Sequence, residues 1–89
     1  MRECDIIVIN RLGLHARASA KLTQLAAGFK AEIWLTRNGR RVNGKSIMGV
    51  MMLAAAQGTT VRVETHGDDE TVALNAITAL FANRFGEEV

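Results

Sequence analysis

The sequence predicts an α+β domain in which a four-stranded, mainly antiparallel sheet carries three helices on one face. Three observations lead there. Stretches rich in β-branched residues and stretches with a helical apolar stripe follow one another in the order β-α-β-β-α-β-α. Asn38-Gly39, the strongest two-residue hairpin signal, joins two of the strands. Proline is absent, so glycine supplies the breaks, and only Gly49 of the eight glycines falls inside a predicted element.

Asp5 to Ile9 reads as the first strand, and Asn10 to Gly13 as a turn. Ala16 to Ala27 reads as a helix whose core face carries Ala18, Leu22, Leu25, Ala26 and, just beyond, Phe29. Arg17, Lys21 and Gln24 mark its outer face, and Gly28 is expected to end it in a left-handed conformation. Ala31 to Thr36 is a strand with Ile33 and Leu35 inward, and the hairpin leads to a short strand over Arg41 to Asn43. Ser46 is placed to cap a short helix running to about Leu53, with Ile47, Val50, Met51 and Ala54 as its apolar stripe; Gln57-Gly58 follows as the break. Thr60 to Thr65 is the fourth strand, with Val61 and Val63 inward. After Gly67, Asp68 is expected to cap a last helix, with Asp69 and Glu70 in its positive first turn. Val72, Ala73, Ala76, Ile77, Leu80 and Phe81 would face the core, and Gly86 would end the helix. In this arrangement Ile7, Ile9 and Trp34 lie on the sheet face without helices.

A chain of 89 residues suits one compact domain, and 48% hydrophobic with 22% charged residues is a folding composition. No apolar run approaches the roughly 20 residues of a membrane span. The acids in Met1-Arg2-Glu3-Cys4-Asp5 do not suit a signal peptide, so the cytoplasm is the expected location. Cys4 is the only cysteine; no internal disulfide exists, and a half-buried strand position is expected for it. The net charge of +2 is mild, and one Trp, three Phe and no Tyr make nucleic acid a poor partner. An acidic protein partner is compatible with the charge. No spacing suits a metal, no Ser-His-Asp pattern occurs, and His66 reads as a solvated loop residue.

The chemistry concentrates in Gly13-Leu14-His15-Ala16-Arg17. His15 falls where a glycine turn meets a helix start. The first N–H groups of a helix, here those of Ala16 and Arg17, have no internal acceptor and attract anions, phosphate included. The same field favours the neutral, nucleophilic imidazole. Arg17 can bring a guanidinium fork to phosphate oxygens.

This pentapeptide resembles the active-site motif of the histidine-containing phosphocarrier (HPr) family, and Val42-Asn43-Gly44-Lys45-Ser46-Ile47-Met48-Gly49-Val50-Met51-Met52-Leu53 resembles the family's serine-site motif at the right distance. The similarity covers essentially the whole chain, and the order of elements matches the family's open-faced β-sandwich. The resemblance implies a relay in which Enzyme I, phosphorylated from phosphoenolpyruvate, passes a phosphoryl group to His15, which passes it to sugar-specific IIA proteins or domains. It implies that Arg17 assists, that no cofactor is needed, and that the chain is a monomeric carrier rather than a free-standing enzyme. It also implies regulation by a kinase or phosphorylase acting on Ser46, and docking through an apolar patch for which Lys45, Ile47, Met48 and Met51 are the candidates. The alternatives are the nitrogen-type paralogue with a regulatory role, or a binding module without phosphotransfer. Two departures stand out: Ala18 replaces the family's usual proline, and Gln24 and Ala27 stand where lysines are common. Alanine is a good helix former, so the helix is expected to survive.

Overall fold

The computed structural model describes all 89 residues. Its elements are β1 (Arg2–Ile7), α1 (Ala16–Ala27), β2 (Glu32–Arg37), β3 (Arg40–Asn43), α2 (Ile47–Met52), β4 (Thr60–His66) and α3 (Glu70–Ala82), followed by a 3-10 turn over Arg84–Gly86. The strands form one sheet in the order β1-β4-β2-β3, and every pairing is antiparallel. Alternation along each strand sends Ile33 and Leu35 of β2 and Val61, Val63 and Thr65 of β4 inward. The helices cover that face: α3 packs on β1 and β4, and α1 lies against α2 and α3. Leu22, Ala26, Ile77, Phe81 and Phe85 fill the space between. The Phe81 and Phe85 rings meet edge-on, with centroids 4.9 Å apart. The opposite face stays open. Ile7 and Ile9 are exposed there, and the Arg41 guanidinium lies 4.1 Å from the centroid of the Trp34 ring.

Several ends differ from expectation, each for a tertiary reason. β1 starts at Arg2 and stops at Ile7, because its ladder with β4 reaches back to Arg2 opposite Thr65. Pairing, not the polarity of Arg2 and Glu3, decides an edge strand. Val8 lies just past β1, yet it is buried and exchanges backbone hydrogen bonds with Gly58 and Thr59. Gly28 has φ −75°, a right-handed value, and α1 closes instead with a tight hydrogen bond from the Gly28 N–H to the Leu25 carbonyl. α3 ends at Ala82, short of Gly86, since Arg84 and Phe85 both take φ 55° and turn Phe85 back into the core. Val72 is exposed, and the buried stripe of α3 runs through Ala73, Ile77 and Phe81. His66 is the last residue of β4, half-buried opposite Glu32, and is not a loop residue. Cys4 is half-buried, its Sγ 4.0 Å from Thr78 Oγ1.

The cap of α3 is Asp69, not Asp68, and its side chain serves another element. The carboxylate accepts the N–H groups of Lys30 (2.9 Å) and Ala31 (2.8 Å), tying the start of β2 to the start of α3. The Lys30 N–H is the main reason this carboxyl is held below its ordinary range, with the Ala31 N–H acting in the same direction. A lowered folded value means the group stabilises the fold above its unfolded pKa, and that stabilisation is lost as pH falls through the folded one. Asp69→Ala is therefore expected to lower the urea midpoint clearly at pH 7. The gap from the wild type should close as the pH falls below about 4. A gap independent of pH would assign the loss to packing.

Candidate functional site

Asn10 to Leu14 form a tight loop between β1 and α1. Gly13 takes φ +66°, and a Cβ there would lie 2.4 Å from the Ala55 carbonyl oxygen, so only glycine fits. That carbonyl accepts the N–H of Leu14, whose side chain is buried; Ser19 Oγ donates to the Leu14 carbonyl at 3.1 Å. The loop is thus fixed on both sides of the residue that precedes His15.

His15 is the N-cap of α1, with extended backbone (φ −77°, ψ −177°) and a carbonyl that accepts the Ser19 N–H. Its ring does not cap the helix. The N–H groups of Ala16, Arg17 and Ala18 donate to no backbone acceptor, so the free donors expected at Ala16 and Arg17 are present and Ala18 adds a third. The helix survives without proline, at the length expected. Arg17 is exposed and its side chain makes no hydrogen bond within the chain, leaving its guanidinium available beside the helix start.

The composition had pointed to none of what lies on the other side of the ring. His15 Nε2 is 2.5 Å from Glu87 Oε2, while Nδ1 makes no hydrogen bond within the chain. Glu87 Oε1 accepts from Asn10 Nδ2 at 3.0 Å, and the same amide nitrogen donates to the Gly13 carbonyl at 2.8 Å. The Asn10 amide is the main cause holding the Glu87 carboxyl below its ordinary range; burial opposes the shift, and His15 and Arg17 reinforce it. Asn10 is fully buried. The only signals for this pair in the sequence were an asparagine opening the loop and an acidic pair after Gly86, neither specific alone.

Ser46 caps α2 as expected, its Oγ accepting the Gly49 N–H at 3.2 Å. Ser46 is exposed, and so are Ile47, Met48, Met51 and Met52, while Val50 is buried. The apolar surface on α2 is therefore larger by Met52 than the residues singled out. Leu12 adds a further exposed apolar side chain in the loop before His15. Lys45 is exposed, and its Nζ donates to the Phe29 carbonyl at 2.7 Å. No cluster of His, Cys, Asp and Glu suited to a metal is present. No helix is long and apolar enough to cross a membrane.

The fold and site define a class: an open-faced α+β sandwich built around one histidine at the start of a helix. Residues 2–83 match the family model described as the PTS HPr component phosphorylation site. The chain is 62% identical over 87 residues to the phosphocarrier protein HPr of Cupriavidus necator, covering 98% of each chain. It is 59% identical, with the same coverage, to that of Neisseria meningitidis. Among solved structures it resembles HPr from Thermoanaerobacter tengcongensis, with TM-score 0.97, 43% identity and full coverage of both chains. A second neighbour is the Bacillus subtilis catabolite repression protein Crh, described as a swapped dimer, at TM-score 0.75 and 37% identity over 93% of this chain and 95% of that one. The chain belongs to the HPr family of phosphocarrier proteins.

Proposed function

We propose that this chain accepts a phosphoryl group on His15 from phosphorylated Enzyme I and passes it to IIA proteins of the sugar phosphotransferase system, acting as a monomer in the cytoplasm. One observation carries the reading: His15 keeps Nδ1 unengaged at a helix start whose first three N–H groups are without backbone acceptors. A phosphoryl group needs little covalent chemistry from its carrier. It needs positioning and charge stabilisation, which those N–H groups and the unpaired Arg17 guanidinium supply. The test is incubation with Enzyme I and phosphoenolpyruvate, followed by intact-mass measurement. One acid-labile phosphate is expected; an unchanged mass with a competent Enzyme I overturns the proposal. Transfer onward to sugar-type rather than nitrogen-type IIA proteins tests the choice of relay.

The docking surface in this reading is α2, with Ile47, Met48 and Met51 as its apolar part, Lys45 as a basic edge and Ser46 as the regulatory position. Support comes from the exposure of these side chains and from the flexibility that lets methionine fit successive partners. A kinase and phosphorylase would act on Ser46. An anion there is tolerable at a helix start but opposes an acidic partner. Ser46→Asp is accordingly expected to melt within a few degrees of the wild type. It should accept phosphate from Enzyme I with weaker apparent affinity, the defect shrinking at high salt. Equal affinity at low salt would remove Ser46 from the docking surface.

A further inference from the structure

We infer that Met48, Met51 and Met52 form a reversible oxidation site, and that oxygen added there weakens the hold of partners on the carrier. The inference rests on the reading of α2 as a docking surface and gives that surface a regulator other than Ser46.

The chain has four methionines, and none lies in the core. Met48 is 69% exposed, Met51 39% and Met52 59%, so all three sulfurs of α2 are open to a small oxidant. They stand at i, i+3 and i+4, which places them on one face of the helix. Met1 stands apart, its amino group paired with Glu70 at the start of α3. The one other sulfur, that of Cys4, is half-buried against Thr78.

The helix beneath the three thioethers is held by other groups. Val50 is buried, and Ser46 Oγ accepts the Gly49 N–H at the first turn. At the other end Arg37 Nη1 donates to the Leu53 carbonyl at 3.0 Å, and Arg40 Nη1 to the Met52 carbonyl at 3.5 Å. None of these contacts uses a methionine sulfur. A change at sulfur therefore alters the surface of α2 and leaves its attachment to the domain in place.

With hydrogen peroxide as oxidant the step balances. A sulfur lone pair forms a bond to one peroxide oxygen and the O–O bond breaks. The departing oxygen takes the proton of the transferred one and leaves as water. Sulfur is oxidised by two electrons and the peroxide is reduced by two. Methionine sulfoxide reductases reverse the change, one enzyme for each epimer. A dithiol supplies the two electrons and becomes a disulfide, and the oxygen leaves as water. A sulfoxide is polar but uncharged. Buried against an apolar partner it is an acceptor without a donor, which opposes association. Phosphate at Ser46 acts through charge and is screened by salt; a sulfoxide is not.

The experiment treats the full chain with hydrogen peroxide, removes the oxidant and locates the added oxygens by peptide mass. Phosphate uptake from Enzyme I and phosphoenolpyruvate is then measured over a range of chain concentrations, at low and at high salt. The triple variant Met48→Leu, Met51→Leu, Met52→Leu is taken through the same steps, and each protein is compared with itself before treatment. Three sulfoxides on α2 are expected to raise the KM for the wild-type chain by about tenfold or more at both salt concentrations, with kcat nearly unchanged. The melting temperature should stay within a few degrees, and the sulfoxide reductases should restore the KM. The triple variant should show no change on treatment. An unchanged KM in a wild-type chain carrying the three sulfoxides overturns the inference. So does an equal loss in the triple variant, a defect that salt removes, a collapse of the melting temperature, or a failure of the three sulfurs to take up oxygen. In each of these cases the untreated chain still takes up phosphate and the phosphocarrier reading stands. An untreated wild-type chain that takes up none overturns that reading, and the inference falls with it.

Discussion

His15→Ala is expected to fold and to take up no phosphate. The backbone at this position is extended, which alanine adopts freely, and the carbonyl that accepts the Ser19 N–H is retained. The ring caps no N–H of α1, so the substitution removes one partly exposed hydrogen bond, that to Glu87, at a cost of about 1 kcal/mol. Chemistry has no such reserve. Arg17 and the free N–H groups bind and stabilise, but none can form a bond to phosphorus. Intact mass after incubation with Enzyme I and phosphoenolpyruvate checks this. A phosphorylated His15→Ala would place the acceptor elsewhere, with His66 the first residue to test, and the N-terminus of α1 would lose its assigned role.

The largest loss of stability from a single methyl group is expected at Gly13. Gly13→Ala forces a Cβ to within 2.4 Å of the Ala55 oxygen and 2.9 Å of the Ala56 Cα, both backbone atoms that cannot rotate away. The left-handed conformation adds ~1–2 kcal/mol for a non-glycine residue, and relieving the overlap by moving backbone adds ~1–3 kcal/mol. The sum, about 2–5 kcal/mol, is a large part of the stability of a domain this small. The backbone shift also acts on function, since the Leu14 N–H bonds to that same Ala55 carbonyl and His15 follows directly. Urea unfolding should show a midpoint far below the wild type with an unchanged slope. The folded fraction should accept phosphate slowly. A stability loss below about 1 kcal/mol would mean that the loop opens more easily than its contacts indicate.

Where local signals acted alone, the sequence was a reliable guide. α1 has the bounds its periodicity implies, the Asn38-Gly39 hairpin joins β2 and β3, and Ser46 caps α2. The inward residues of β2 and β4 follow from alternation. The failures share a cause, which is distance along the chain. Asp69 looks like a residue of its own helix but bonds to Lys30 and Ala31, more than thirty positions away. β1 begins where β4 offers a partner. Half of the site was visible because His15, Ala16 and Arg17 are neighbours in sequence. Glu87 was not, because it reaches His15 only after Arg84 and Phe85, neither of them glycine, take positive φ ahead of Gly86.

Trp34 is the only tryptophan, and there is no tyrosine. It stands on the sheet face turned away from the helices, under the Arg41 guanidinium and with its Nε1 3.3 Å from Glu32 Oε1. The chain therefore carries a built-in optical reporter whose surroundings are made wholly by β2 and its neighbours. Its fluorescence follows the integrity of the sheet and takes no part in events at the start of α1. Folding and phosphoryl chemistry can thus be followed in the same sample by separate signals, with no dye added and no residue changed.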